Sequence, residues 1–185
     1  MSAAYNGQEV IAAGSFSNIT GTRKSPYLAR FDGKVWLPFT DTANVAGAFF
    51  YKLQQHNGML YACTSRGLFS YNNGWTSVVN TAGQAVCDLD WDASGNLYIT
   101  GWFTSVNGIP AKGVAKRTAN NWAAMAGGID GAGSGSYGQY IAVVGSQVFI
   151  SGNFSTVDGG WMAEGFAYWN GTHWRPLTLP NNTTF

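Results

Sequence analysis

The sequence predicts an all-β fold, a β-propeller of about four four-stranded blades. Three observations carry this. One motif recurs roughly every 45 residues along the chain. Within each copy, short runs rich in Val, Ile, Tyr, Phe and Thr alternate with Asp32-Gly33, Asn57-Gly58, Asn73-Gly74, Ser94-Gly95 and Asn170-Gly171 turns. No segment carries apolar residues at helical spacing over three turns.

The copies are read in order. Val10 to Gly21 matches Leu97 to Gly108 and Val148 to Gly159, with Gly14 and Phe16, Gly101 and Phe103, and Gly152 and Phe154 in register. After a loop come Leu28 to Trp36, Val114 to Trp122 and Phe166 to Trp174. A shorter copy, Leu60-Tyr-Ala-Cys63 and then Leu68 to Trp75, omits the loop. Trp36, Trp75, Trp122 and Trp174 thus close the four copies and are expected to pack between blades or at their edges. The units run over about 5–40, 45–80, 84–127 and 137–178, in one domain spanning 1–180, with a polar tail at 181–185. In the third unit an inner strand is expected around residues 85–91, a second around 97–100, a third around 113–117 and an outer one around 122–125. The tract from Gly127 to Ser136 reads as a flexible connection. Four such units either close as a small ring or form an arc that oligomerisation completes.

The pattern Leu-Tyr-Ile-Thr-Gly-x-Phe-Thr-Ser-Val-x-Gly, followed by Leu-Ala-Arg-Phe-Asp-Gly and a Trp, resembles the β-propeller repeats of the kelch and galactose-oxidase-like group found in bacterial and phage surface proteins. Asp90 to Tyr98 similarly resembles the inner-strand turn of many propellers. The resemblance implies a fold; it assigns no activity, because propellers serve as enzymes, lectins, scaffolds and virion parts alike.

Composition narrows the function classes. Ten Lys and Arg against nine Asp and Glu leave a net charge of +1, which is no phosphate-neutralising surface, so nucleic acid is not an expected partner. No apolar run reaches the length of a membrane span, and residues 1–9 show neither the basic nor the apolar region of a secretory signal. Cys63 and Cys87 are too few for a disulfide framework and read as buried thiols.

Candidate chemistry is sparse. His56 and His173 have no ligand-spaced partners, and no Gly-x-Ser-x-Gly elbow, phosphate loop or His-Glu-x-x-His segment occurs. Asp88, Asp90 and Asp92 have the spacing of the first three ligands of a calcium loop, with Ile99 where the closing acid would stand. The competing reading has Asp92 and Ser94 shaping a turn while Asp88 and Asp90 line a wet central channel. Aromatics make up 15% of the chain, and the informative ones break the repeat. Trp102 stands where Ser15 and Asn153 stand in sister units, and Trp161 with Met162 occupies the loop after the second strand. Side chains that are polar in sister units point outward, so these three residues are the candidate binding surface.

The expected function is therefore a non-catalytic recognition or assembly module. It would be a structural or adsorption component of a larger particle such as a phage virion, at the virion or extracellular surface, with protein partners and no cofactor. Homo-oligomerisation is an open option. The alternative is a lectin that stacks Trp102 or Trp161 on cell-surface glycans.

Overall fold

The computed structural model describes residues 1–5, 7–19, 23–130 and 135–177, and for Arg23 the backbone alone. Gly21, part of the glycine-rich tract and the tail 181–185 lie outside the described residues.

Four four-stranded antiparallel sheets form, each with the strand order the repeat predicts. Sheet I uses β1 (Ser2–Tyr5) and β2 (Val10–Ala13), then, after a hairpin of β3 (Asn18–Ile19) and β4 (Arg23–Lys24), β5 (Leu28–Phe31) and β6 (Trp36–Pro38). A 3-10 turn at Ala43–Val45 is the one helical element among the described residues. Sheet II is β7 (Phe50–His56), β8 (Met59–Thr64), β9 (Gly67–Tyr71) and β10 (Trp75–Ser77), without the hairpin, as its shorter sequence requires. Sheet III has β11 (Val86–Trp91), β12 (Leu97–Gly101), the hairpin β13 (Ser105–Val106) and β14 (Ile109–Pro110), then β15 (Val114–Thr118) and β16 (Asn121–Ala124). β17 (Ile129–Asp130) leads to sheet IV: β18 (Tyr137–Val144), β19 (Gln147–Asn153), the hairpin β20 (Thr156–Val157) and β21 (Trp161–Met162), then β22 (Phe166–Trp169) and β23 (Trp174–Pro176). β17 adds to that last hairpin as a third strand. The first strand belongs to sheet I, so the first copy begins ahead of residue 5.

The chain divides into two compact units, residues 1–79 and 80–185, each holding two sheets. In the first, sheets I and II bury Ile11, Leu28, Leu53, Leu60 and Trp75 between them. In the second, sheets III and IV bury Tyr98, Val114, Ile141, Ile150, Phe154 and Trp174. The pairing alternates along each strand because successive side chains point to opposite faces. Trp174 is completely buried, and its indole Nε1 donates to Met125 O at 3.0 Å, tying the outer strand of sheet IV to the end of sheet III. Trp75 takes the corresponding place in the first unit, 6.1 Å from Phe39. The repeat tryptophans of the second sheet in each unit thus pack between sheets.

Two glycines of the motif are explained by close approach. A Cβ on Gly101 would lie 2.3 Å from Ala85 O, and one on Gly152 would lie 2.3 Å from Tyr137 O. Both face the point where the inner strand shifts register, between Val86 and Asp88 in β11 and between Gly138 and Tyr140 in β18. Only glycine leaves room for the inner strand to bulge there.

The inner strands of paired sheets lie side by side without a backbone ladder; side chains join them. Asp88 Oδ1 accepts from its own strand at Leu89 N (2.8 Å), and its Oδ2 accepts from Ile141 N across the gap (3.0 Å). Asp90 repeats the arrangement, with Trp91 N at 2.9 Å and Val143 N at 2.7 Å. In the first unit Ser2 Oγ accepts from Leu53 N at 2.9 Å. Ser2 and Asp88 are equivalent in the repeat, opposite Ala13 and Thr100, and so are Leu53 and Ile141, opposite Ala62 and Ile150. One polar contact has therefore been kept in both units with different side chains.

Asp88 is 5% exposed, and removing its carboxylate strands the Ile141 N–H in an apolar setting. Asp88→Ala should lower the unfolding free energy by about 2–3 kcal/mol, the cost of a buried donor left without a charged acceptor. Asp88→Asn keeps one acceptor oxygen for two N–H groups and should fall between that variant and the wild type in urea denaturation. Equal stability of all three would contradict the bridging role.

Candidate interaction site

Three sheets carry the extra hairpin between their second and third strands, and all three close alike. Ser25 N donates to Ser17 O at 3.0 Å, Ala111 N to Thr104 O at 2.9 Å, and Ala163 N to Ser155 O at 2.9 Å. Phe103 and Phe154 anchor two of them in the core. The inward positions Val106 and Val157 are likewise buried.

The outward positions differ. Trp161 and Met162 pair with Val157 and Thr156 across the third hairpin, so the sequence-predicted loop is a short strand. The same register positions carry Ile109 and Pro110 in the second hairpin and Arg23 and Lys24 in the first. Trp161 is 54% exposed and Met162 57%. The Arg175 guanidinium stands 4.9 Å from the Trp161 ring centroid, so a cation holds one aromatic face from below the tip.

Asp158, which sequence reading did not single out, fixes this hairpin. Its Oδ1 accepts from Gly127 N at 2.9 Å, and its Oδ2 accepts from Trp174 N at 2.9 Å. His173 Nδ1 lies 3.1 Å from the same Oδ2. The signal was present in the repeat: Asn107 holds the equivalent turn position, and its Oδ1 accepts from Asn80 N at 2.9 Å. His173 is thereby accounted for as a turn residue beside Trp174.

Trp102 is 47% exposed but not free-standing: it stacks on Tyr137 with centroids 4.3 Å apart and planes at 17°. It borders a groove of about 290 Å³ shared with Phe103, Thr104, Ile129 and the Lys112–Asp130 ion pair, whose charged atoms are 2.6 Å apart. Trp102 and Trp161 have different neighbours, Tyr137 for the first and Arg175 for the second.

The three candidate cation ligands are dispersed into structural roles. The carboxylates of Asp88 and Asp90 each receive backbone N–H groups from two strands. Asp92 lies beyond β11, in the turn, where it accepts from Ser94 N, Asn96 N, Asn96 Nδ2 and the Tyr98 hydroxyl. Among the described residues no group of three or more His, Cys, Asp or Glu is placed to hold a metal ion. No disulfide joins Cys63 and Cys87, and both are buried. Burial pushes the Cys87 thiol up to about 12, against a hydrogen bond from Trp102, so it stays protonated near neutral pH. In the first unit a polar recess of about 260 Å³ is lined by Glu9, Arg30, Asp41 and Tyr71, with Arg30 Nη1 2.6 Å from Glu9 Oε1.

No protein-family model matches the chain, and no curated protein matches it.

Burial by itself would raise the Asp92 carboxyl, but the donors on Asn96, Tyr98 and Ser94 outweigh it and hold the group below its ordinary value. A depressed folded-state value adds stability above about pH 4, the unfolded value, and that stability disappears as pH falls through the folded one. Wild-type unfolding free energy should therefore drop on acidification below about pH 4. Asp92→Asn should be about 1–2 kcal/mol less stable at neutral pH, with a shallower acid slope in urea titrations. Parallel pH profiles for the two proteins would contradict this.

Proposed function

We propose that the four sheets are blades of a kelch-like β-propeller. On this reading the chain works as a non-catalytic recognition and assembly module, a structural or adsorption component of a larger particle such as a phage virion. One observation carries the reading: three hairpins share one closing geometry while the residues at the same register positions differ, from Arg23–Lys24 through Ile109–Pro110 to Trp161–Met162. A constant frame with variable tips suits recognition, since a rigid scaffold places contact residues without ordering them at binding. The carboxylates of Asp88, Asp90, Asp92 and Asp158 are engaged with backbone donors, which favours scaffolding over acid–base work. Trp161 and Met162, of residue types enriched at the centres of protein interfaces, are the contact residues on this reading.

A second reading, carbohydrate binding, is favoured by the groove beside Trp102, where an aromatic edge, a hydroxyl and an ion pair meet. That combination offers an apolar face and polar partners to a sugar ring.

Imaging the native particle with which the chain copurifies, combined with a Trp161→Ala variant, tests the first reading. The expected result places the third hairpin against another component, with affinity for it falling about 30-fold in the variant and the melting temperature little changed. Recovery of the chain bound to no other component, or full-strength binding by the variant, would overturn it. Saturable glycan binding that Trp102→Ala abolishes and Trp161→Ala spares would put the sugar reading in its place.

A further inference from the structure

Within each unit the two sheets cover one face of each other, and each sheet keeps a second face that its own unit leaves open. The repeat makes the two kinds of face comparable position by position. On sheet IV, the face turned toward sheet III presents Val148, Ile150, Ala167, Trp174 and Phe154, all buried. The equivalent face of sheet I presents Val10, Ala12, Ala29, Trp36 and Phe16, and all of these but Ala29 are only half-buried. There Met1, Ala12, Phe16, Ile19, Ala29 and Trp36, all from sheet I and its hairpin, line an apolar groove of about 250 Å³.

Sheet IV lacks the complementary covering. Ile11 and Leu28 on sheet I, and Tyr98 and Val114 on sheet III, are buried against the next sheet. Their counterparts on sheet IV are Phe149 and Phe166, half-buried and 6.4 Å apart by ring centroid, with Tyr168 at the same distance from Phe149. The first unit thus leaves open one half of a sheet-on-sheet interface and the second unit the other half, while each unit completes that interface once within itself.

We infer that a second copy of the chain covers both faces, sheet I of one copy packing on sheet IV of the other. The inference rests on the blade reading above. Continuity with the existing interface identifies the occupant: at these positions, in both units, what covers a face is another sheet of the same repeat. The named positions of sheet I carry no ionised side chain, and on sheet IV Arg175, opposite Tyr168, already has the Trp161 ring and Trp174 O as partners, so packing one face on the other leaves that charge engaged. A head-to-tail contact between unlike faces either closes into a ring or runs on as a filament. Two copies supply eight sheets, the upper end of the usual range for propellers, whereas three would exceed it. Two equivalent junctions then close the assembly.

Sedimentation velocity on the purified chain, at about 50 μM and well above the dissociation constant of a standard-size interface, should give twice the 19.8 kDa chain mass. Trp36→Glu removes the sheet I half and Phe149→Arg the sheet IV half, and each variant alone should weaken dimerisation at least tenfold. An equimolar mixture of the two should recover a heterodimer, because one intact junction remains between unlike variants. A folded wild-type monomer at that concentration, or wild-type dimerisation by both variants, would overturn the inference. If Trp36→Glu does not fold, the wild-type mass and the half-exposed Phe149→Arg variant still decide it. Failure here leaves the hairpin reading standing, since partner binding that depends on Trp161 is measured separately on the monomer.

Discussion

A strand hydrogen-bonded on one side only presents every second N–H on the other, and when that edge faces protein rather than water each such donor needs an acceptor. The second unit meets this demand with two carboxylates. Asp88 and Asp90 each hold one N–H of β11 and one of β18, so four edge donors are satisfied and two sheets are joined by the same groups. Charge-assisted bonds of this kind are about twice as strong as neutral ones, and two N–H dipoles on each anion offset the cost of its burial. Sheet-to-sheet packing, the placement of Trp174 and the rigidity of the third hairpin all follow once β11 and β18 are fixed side by side.

The first unit shows that the position matters more than the side chain. Ser2 supplies one neutral oxygen to Leu53 N where Asp88 supplies a carboxylate to Ile141 N. Hydroxyl and carboxylate share only the ability to accept, which is the property an edge N–H selects. The tryptophans divide the same way. Trp174 finds Met125 O for its indole N–H, while Trp75, equally enclosed, has no partner for its own among the described residues. The interior therefore tolerates one unsatisfied indole when packing on Phe39, Tyr71 and Phe50 is kept.

Most of the framework was legible in the sequence because it is periodic. The glycines of the motif, the aromatic after them and the closing tryptophans mark strand ends and core positions, and the missing loop of the second copy appears as a missing hairpin. The aspartate cluster was legible as either a cation loop or a turn. Its spacing fits a cation loop, but spacing carries no information on which N–H groups a neighbouring strand will present, and Ile141 and Val143 lie 53 residues away. Trp161 and Met162 were legible as breaks in the repeat. That they stand on a strand, with Arg175 under the indole, depends on a cross-hairpin register that sequence alone does not reveal. Asp158 went unnoticed because a turn aspartate before glycine is common, and its partners come from two distant segments, at Gly127 and at His173–Trp174.

The frame and the surfaces it presents answer to different demands. Frame positions repeat because the paired sheets of each unit meet through the same geometry; the hairpins keep their closing bond while the residues at their tips vary. The most direct test of the central claim is native-state amide hydrogen exchange at Ile141 and Val143, the two edge donors of β18. With the carboxylates bridging the strands, both amides should exchange as slowly as amides inside the β19 ladder at neutral pH. Exchange at the rate of an open sheet edge would show that Asp88 and Asp90 do not hold the two inner strands together.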